Sequence, residues 1–348
     1  MPDKRTIRML QGWLVCLSLS TFSLAQSFTV QSSNTTENLR GLSVVSSSIV
    51  WASGTHGTYL RSMDGGISWA TAQVPGAESL DFRDIQAFSA EEAYLLAAGP
   101  GEQSRIYKTN DAGKNWSLQF TNHDPKGFYD CMGFWDREHG LALGDPIDGE
   151  FALLTTEDGG AHWNELPDPH RPQSLAEEGA FAASGTCLAV HGEYAVWFVT
   201  GGSAARVFRS GNRGMTWSAA DVPLSRQGAS AGIFSIAFGS DTYAVVGGGD
   251  YQRPEQPGST LAYTEDGGIT WTPLSIRPQP YFSAVALDPG NPRRLLAVGS
   301  AHAAYTDDIQ SATWVAYWDL NLNAVAYLAP GQALAVGPKG MIVQFRLP

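Results

Sequence analysis

Short apolar runs alternate with polar, glycine-containing turns along the chain from residue 27 onwards. Runs such as Ile49 to Ser53, Ala93 to Ala98 and Tyr243 to Val246 are rich in β-branched, aromatic and small residues, and each is followed by glycine. Runs of this length between turn residues are typical of buried strands. No long apolar stripe with a helical period appears, so the sequence predicts an all-β protein rather than a parallel α/β fold.

A phrase of the form Ser/Thr-x-Asp/Asn-x-Gly-x-x-Trp recurs between these strands. The five copies are Ser62 to Trp69, Thr109 to Trp116, Thr156 to Trp163, Ser210 to Trp217 and Thr264 to Trp271. A degenerate sixth copy runs from Thr306 to Trp314, and successive tryptophans lie 47, 47, 54, 54 and 43 residues apart. Each repeat carries the four strands of one blade, so these periods predict a β-propeller.

The phrase has the chemistry of a tight turn between the third and fourth strands of a blade. Its acidic or amide side chain can accept backbone N–H groups of the turn, and the glycine at its fifth position can adopt a positive φ. The tryptophan then packs its ring against the neighbouring sheet. We therefore assign a structural role to the third residue of each copy, which is Asp64, Asp111, Asp158, Asn212 or Asp266.

These phrases resemble the Asp-box (BNR) repeats of sialidases, sortilin-type receptors and photosystem II stability/assembly factor-like proteins. The resemblance implies propeller blades with the boxes as peripheral structural turns, rather than as calcium or sugar sites. The whole of residues 27–346 is most similar to a small secreted bacterial branch near the assembly factors, through residues 128–135, 144–146 and 178–187. The photosynthetic members are scaffolds with a basic patch, from which this acidic chain departs.

The repeats predict seven blades. Six end in the tryptophans above, and a seventh, from Leu322 to Phe345, has three strands and no phrase. A lone strand, Ser27 to Ser32, precedes blade one. Because an open blade leaves an unpaired edge, we expect this strand to complete blade seven and close the ring. The expected fold is a single seven-bladed propeller of four-stranded antiparallel blades over residues 26–348.

The first 25 residues have the features of a cleaved signal peptide. Lys4, Arg5 and Arg8 precede an apolar stretch from Met9 to Leu19, and Ser23 to Ala25 fits a small-x-small cleavage site. An uncleaved membrane anchor is the alternative, but the apolar stretch is short. The sequence therefore predicts a secreted or periplasmic protein.

Composition narrows the partner classes. The chain has 22 basic and 34 acidic side chains, a net charge of −12, and removing residues 1–25 makes it −14. This balance argues against nucleic acid as a partner, because phosphate binding needs a basic face. No apolar run of membrane-spanning length follows the N-terminal segment. The seven histidines are scattered singly, which disfavours a zinc or haem site. We expect a monomer without a cofactor or metal.

Polar loops predict a binding face. In a propeller, the connections between strands two and three and those between blades share one face, opposite the repeated turns, and long loops generally carry function. In blades two to five we expect these loops to place acidic groups with interspersed arginines near the channel mouth. The candidates for contact with a protein or glycan are Arg83, Asp84, Tyr129, Asp130, Asp145, Asp148, Glu178, Arg206, Asp250 and Tyr251.

No catalytic template is convincing. The segment Gly228 to Gly232 matches G-x-S-x-G, but it lies between blades without the strand and helix of a nucleophile elbow. The main hypothesis is a non-catalytic binding or assembly propeller. The alternative is a glycoside hydrolase that uses a carboxylate pair on the loop face, and a pair about 5–9 Å apart in a concave pocket would favour it.

Two cysteines remain after the N-terminal segment. Cys131 and Cys187 lie at similar positions on the innermost strands of blades three and four. Neighbouring inner strands can bring such residues within disulfide distance, and an oxidising compartment permits pairing. The alternative is two separately buried thiols.

Overall fold

The computed structural model describes residues 27–226, 228–276, 279–311 and 313–348, and within them it confirms the seven-bladed all-β propeller. The signal peptide predicted over residues 1–25 lies outside the described residues. None of the described helical turns has the length and apolar character to traverse a bilayer.

Each of blades one to six contains an antiparallel sheet of four strands that follow chain order from the channel outwards. Blades one to three comprise Leu39–Val44, Val50–Gly54, Thr58–Ser62 and Ala70–Gln73; Phe82–Ala87, Ala93–Ala97, Arg105–Thr109 and Ser117–Thr121; and Tyr129–Phe134, Gly140–Ile147, Glu150–Thr156 and Asn164–Glu165. Blades four to six comprise Leu188–His191, Ala195–Val199, Arg206–Ser210 and Ser218–Asp221; Ala231–Phe238, Ala244–Asp250, Leu261–Thr264 and Thr272–Pro273; and Ala284–Asp288, Asn291–Val298, His302–Thr306 and Val315–Trp318.

Two additions depart from this plan. The short strands Glu178–Gly179 and Gly201–Gly202 extend the sheet of blade five on its channel side. A single turn of 3₁₀ helix, Gly101–Gln103, lies between the second and third strands of blade two.

Blade seven confirms the predicted ring closure. Its strands Ala324–Ala329, Gln332–Val336 and Ile342–Arg346 are completed by Ser27–Gln31, which pairs antiparallel with the last of them. The inner strand of blade seven also packs against that of blade one. The two ends of the chain therefore hold the ring together.

The repeated turns have the predicted hydrogen bonds. In the third copy, Asp158 accepts the backbone N–H of His162 at 2.9 Å and the Thr156 hydroxyl at 3.0 Å. Gly160 has a φ of 79° and donates its N–H to the same hydroxyl at 2.8 Å. The other four copies repeat this arrangement, which explains why a Ser or Thr precedes the acidic position.

The core is divided between neighbouring blades rather than concentrated at one point. The largest apolar cluster joins blades three, four and five, from Leu141 and Phe151 through Phe198 and Phe208 to Val246. Burial of such side chains contributes about 1.5–3 kcal/mol each. The blades therefore support one another, and the inner ends of their strands are held at fixed positions around the channel.

A bulge recurs near the start of the inner strand in four blades. The pairing register shifts across Arg40 in blade one, Arg83 in blade two, Asp130 in blade three and Phe234 in blade five. A bulge redirects a side chain out of the regular strand alternation. These four residues all line the mouth of the channel, which makes the bulges the features that position the candidate site.

A candidate binding cavity at the channel mouth

A cavity of about 1250 Å³ opens at the channel mouth, on the face that carries the connections between blades and between second and third strands. Of the predicted site residues, Arg83, Asp130, Asp145, Glu178 and Tyr251 line it. The structure thus brings together residues from blades two, three and five with the segment that precedes blade four.

Residues 178–187, which we call the floor segment, cross the channel mouth beneath this cavity. Arg83 of blade two donates a hydrogen bond from Nη1 to the carbonyl of Ala182 at 2.8 Å. Asp145 of blade three accepts the N–H of Ala180 at 3.0 Å. The segment also contacts the far side of the ring, because the Ser184 hydroxyl donates to the carbonyl of Ser283, before blade six, at 3.1 Å.

Both ends of the floor segment are anchored. The carboxylate of Glu178 is fully buried and accepts hydrogen bonds from Arg206 Nε at 2.8 Å and from the Thr200 hydroxyl at 2.6 Å. At the other end, Cys187 forms a disulfide with Cys131, with 6.1 Å between their Cα atoms. Ion pair and disulfide together fix the floor across the channel.

An aromatic wall stands on the blade-five side of the cavity. The ring of Phe181, in the floor segment, stacks on Phe234 with 3.9 Å between centroids. Tyr281 meets Phe234 edge-on at 4.9 Å, and the half-exposed Tyr251 lies beside both phenylalanines. Tyr281 also lines the cavity, and burial raises its pKa, so its phenol is neutral. This wall offers apolar contact and hydroxyl groups to a ligand.

Asp130 is the most unusual group of the cavity. It is 1% exposed, and no described donor meets either of its carboxyl oxygens in hydrogen-bonding geometry. Burial raises its pKa well above the ordinary range, and the nearby charge of Asp145 raises it further. The charge of Arg83 and the approaching N–H of Ala182 lower this pKa by less. Burial therefore favours the neutral form of Asp130, which lines the cavity with no described hydrogen bond of good geometry, an arrangement that a folded protein rarely leaves unexplained.

Asp145 and Asp84 are two further buried carboxyl groups, with different surroundings. Burial raises the pKa of Asp145, and its hydrogen bond from Ala180 opposes this effect. Asp84 does not line the cavity. It lies between blades two and three, where it accepts the N–H of Met132 at 2.7 Å, and burial raises its pKa to about 7.

The remaining predicted residues lie outside the cavity. Tyr129 is buried against Phe120, with 5.6 Å between ring centroids. Asp148 lies at an exposed hairpin tip and pairs with Lys126 at 3.0 Å.

Arg206 and Asp250 support other residues. Arg206 lies behind the cavity, where it holds Glu178. Asp250 accepts the hydroxyl of Ser230 at 2.8 Å and pairs with Arg253. Because Ser230 is the serine of the G-x-S-x-G segment, Asp250 and Ser230 are part of a hydrogen-bond network within the loops.

Arg40 lines the cavity and was not among the predicted residues. Its Nε is buried without a hydrogen-bond partner in the described chain. Burial and the neighbouring charge of Arg83 lower its pKa, while the charge of Asp81 opposes them. A sequence signal for Arg40 exists, because Leu39-Arg40-Gly41-Leu42 occupies the same place in repeat one as Phe82-Arg83-Asp84-Ile85 in repeat two.

Among the residues that the structure describes, no group of three or more His, Cys, Asp or Glu side chains is arranged to hold a metal ion. The polar groups that line the cavity are guanidinium, ammonium, carboxyl, phenol, hydroxyl, amide and backbone groups.

Comparison with known proteins supports the fold. No family model matches the sequence, and no curated protein matches it either. Among solved structures, the chain is similar to YCF48 bound to D1 peptide, with 16% identity and a TM-score of 0.67 over 92% of this chain and 97% of that one. YCF48 from Cyanidioschyzon merolae matches with 17% identity and a TM-score of 0.63 over 92% and 98%.

A GH74 enzyme from Niastella koreensis is a third structural neighbour. It has 14% identity and a TM-score of 0.59 over 91% of this chain, which spans 53% of that chain. Identities this low show a shared propeller fold. Proteins of this fold thus include a peptide-bound one and an enzyme.

Proposed function

We propose that this protein binds a segment of a partner protein in the cavity at the channel mouth, without catalysing a reaction. The observation that carries the proposal is the concave cavity lined by Arg40 and Asp130. The buried Nε of Arg40 and the buried carboxyl oxygens of Asp130 have no hydrogen-bond partner in the described chain. Buried polar groups are normally satisfied, so a cavity lined by unsatisfied ones is suited to a ligand that satisfies them.

The size of the cavity favours a segment of a polymer. Pockets for small molecules enclose roughly 300–1000 Å³, whereas this one encloses about 1250 Å³. A run of small residues, Gly179, Ala180, Ala182, Ala183 and Gly201, lines part of it. The three alanines present little side-chain bulk to a second backbone, so this part of the cavity suits an extended peptide.

The YCF48 structure supports this proposal at the level of the fold, because that propeller is bound to a peptide. We further propose that the chain is exported by its N-terminal segment, acts as a monomer and meets its partner outside the cytoplasm. The Cys131–Cys187 disulfide is consistent with an oxidising compartment.

A displayed random-peptide library tests the proposal. Peptides selected on the wild-type protein are measured again on Ala183→Trp, which fills the cavity, and on Ala70→Trp, which adds the same side chain to the exposed outer strand of blade one. We expect loss of binding in Ala183→Trp alone. Failure to enrich any peptide, or equal binding to both variants, would contradict the proposal.

Glycoside hydrolysis is the second candidate, favoured by the presence of Asp130 and Asp145 on one cavity. A glycosidase pairs a protonated acid with an ionised carboxylate, whereas burial raises the pKa of both groups here. The binding role therefore has the better support. A screen with aryl glycosides tests the alternative: turnover by the wild-type protein that is abolished in Asp130→Asn and Asp145→Asn would establish hydrolysis.

A further inference from the structure

The charges at the base of the cavity do not balance. Arg83 pairs with Asp81 at 2.5 Å, and Arg206 pairs with Glu178 behind the cavity wall. Arg40 has no ion pair with a described residue, and the nearby Asp81 is already paired with Arg83. Because burial disfavours the ionised forms of Asp130 and Asp145, neither is a strong counter-ion for Arg40, the guanidinium of which lines the cavity without a described ion pair.

We infer that the base of the cavity recognises a carboxylate group of the ligand, held by Arg40, with Asp130 as a second polar group of the same cavity. This inference rests on the proposed function and names the chemical group that the site selects. The bulges are the geometric basis of this inference, since at them Arg40, Arg83 and Asp130 of three consecutive blades line the same cavity.

A carboxylate is the group that Arg40 is suited to hold. Its oxygens accept hydrogen bonds from a guanidinium, and also from a carboxyl group that carries its proton, the form that burial favours for Asp130. Hydrogen bonds to ionised groups are roughly twice as strong as neutral ones. An ammonium group, in contrast, would pair with Asp130 only after that acid had lost its proton, and Arg40 and Arg83 would repel it. An anionic ligand is therefore favoured over a cationic one.

Small aromatic probes test this selection directly. N-benzoylglycine carries a carboxylate and a ring for the aromatic wall, its amide is the neutral control, and benzylammonium is the cationic one. Binding to the full chain is measured by calorimetry or by NMR. We expect N-benzoylglycine to bind about tenfold or more tightly than its amide, and benzylammonium to bind weakest.

Variants locate the contact. Arg40→Gln is expected to remove the preference for the carboxylate probe, and Arg40→Lys to retain part of it. Arg105→Gln, in the third strand of blade two, deletes an arginine outside the cavity and serves as the matched control. A melting curve for each variant separates loss of binding from loss of fold.

The pH dependence of binding tests the role of Asp130. Of the titratable groups near it, Arg83 and Asp145 face Asp130, and Arg83, Asp81 and Tyr281 face Arg40. Ionisation of Asp130 would place a negative charge beside the bound carboxylate. Affinity for N-benzoylglycine should therefore fall as the pH rises through the raised pKa of Asp130. In Asp130→Ala the affinity should be lower and should change less with pH.

Equal affinity for acid and amide, a preference for benzylammonium, or an unchanged preference in a folded Arg40→Gln variant would each overturn the inference. These results are distinguishable from failure of the proposed function. Library peptides that bind in the cavity with no dependence on Arg40 would leave peptide binding standing and reject the carboxylate subsite. A carboxylate probe that binds where no peptide does would leave the subsite and reject the peptide.

Discussion

Ring closure by the N-terminal strand gives the sharpest stability prediction. A chain beginning at Asn34 lacks the strand Ser27–Gln31, which pairs with the last strand over five residue pairs. At about one backbone hydrogen bond per pair and ~0.5–1.5 kcal/mol net for each, the strand contributes about 2.5–7.5 kcal/mol. Phe28, 39% exposed, adds packing on Tyr317 and Phe345 at 5.9 and 6.1 Å. The loss is comparable with the ~5–15 kcal/mol of a typical domain.

Urea unfolding followed by tryptophan fluorescence, with size-exclusion chromatography, measures this loss against a chain beginning at Gln26. We expect the shorter chain to be strongly destabilised or aggregated, because its blade-seven edge is exposed. Phe28→Ala should lower stability modestly, whereas Val30→Ala should change it little, since Val30 is 61% exposed. Equal unfolding midpoints for the two chains would refute closure by this strand.

Three further predictions concern buried groups. Burial raises the pKa of Asp84 from 3.8 to about 7, so between these pH values the folded state holds a proton that the unfolded state has lost. The wild type should therefore lose up to about 4 kcal/mol of stability relative to Asp84→Asn as the pH rises through this range. A difference between the two urea midpoints that is the same at both ends of the range would contradict this. Burial lowers the pKa of His302, and its ring nitrogens have no hydrogen-bond partner in the described chain. His302→Phe should therefore stabilise the protein, and the gain should grow as the pH falls below about 6.5. A difference in melting temperature between variant and wild type that does not change with pH would be inconsistent with this. Replacing both Cys131 and Cys187 by Ala should lower the free energy of unfolding by about 4 kcal/mol, because the disulfide closes a loop with a sequence separation of 56; the same unfolding midpoint for the wild type with and without reductant would argue against it.

The sequence was sufficient to predict the blades. Each repeat contains its own strands, and the Asp64 or Asp158 turn within it is held by residues no more than four positions away. Interactions between residues so close in sequence can be predicted from the order of the residues alone. The seven-blade count and the closing strand also followed from the sequence, because an incomplete last repeat and a lone first strand leave one economical arrangement.

The cavity depended on the tertiary structure. Arg40, Asp130 and Tyr281 belong to different repeats and meet only because the ring brings the ends of the inner strands to one axis. The course of the floor segment could not be predicted from the sequence either, because its contacts with Arg83 and Ser283 join residues far apart in the chain.

Pairs of adjacent residues show most clearly what local sequence determines and what only the tertiary structure determines. Arg83 and Asp84 are adjacent, as are Tyr129 and Asp130, and the sequence offered all four as equal candidates. Successive side chains of a strand point to opposite sides, and the bulges decide which member of each pair faces the channel. Arg83 and Asp130 therefore line the cavity, while Asp84 and Tyr129 pack between blades. Local sequence determined that polar residues begin these strands, and only the register of the assembled sheets determined which of them a ligand can reach.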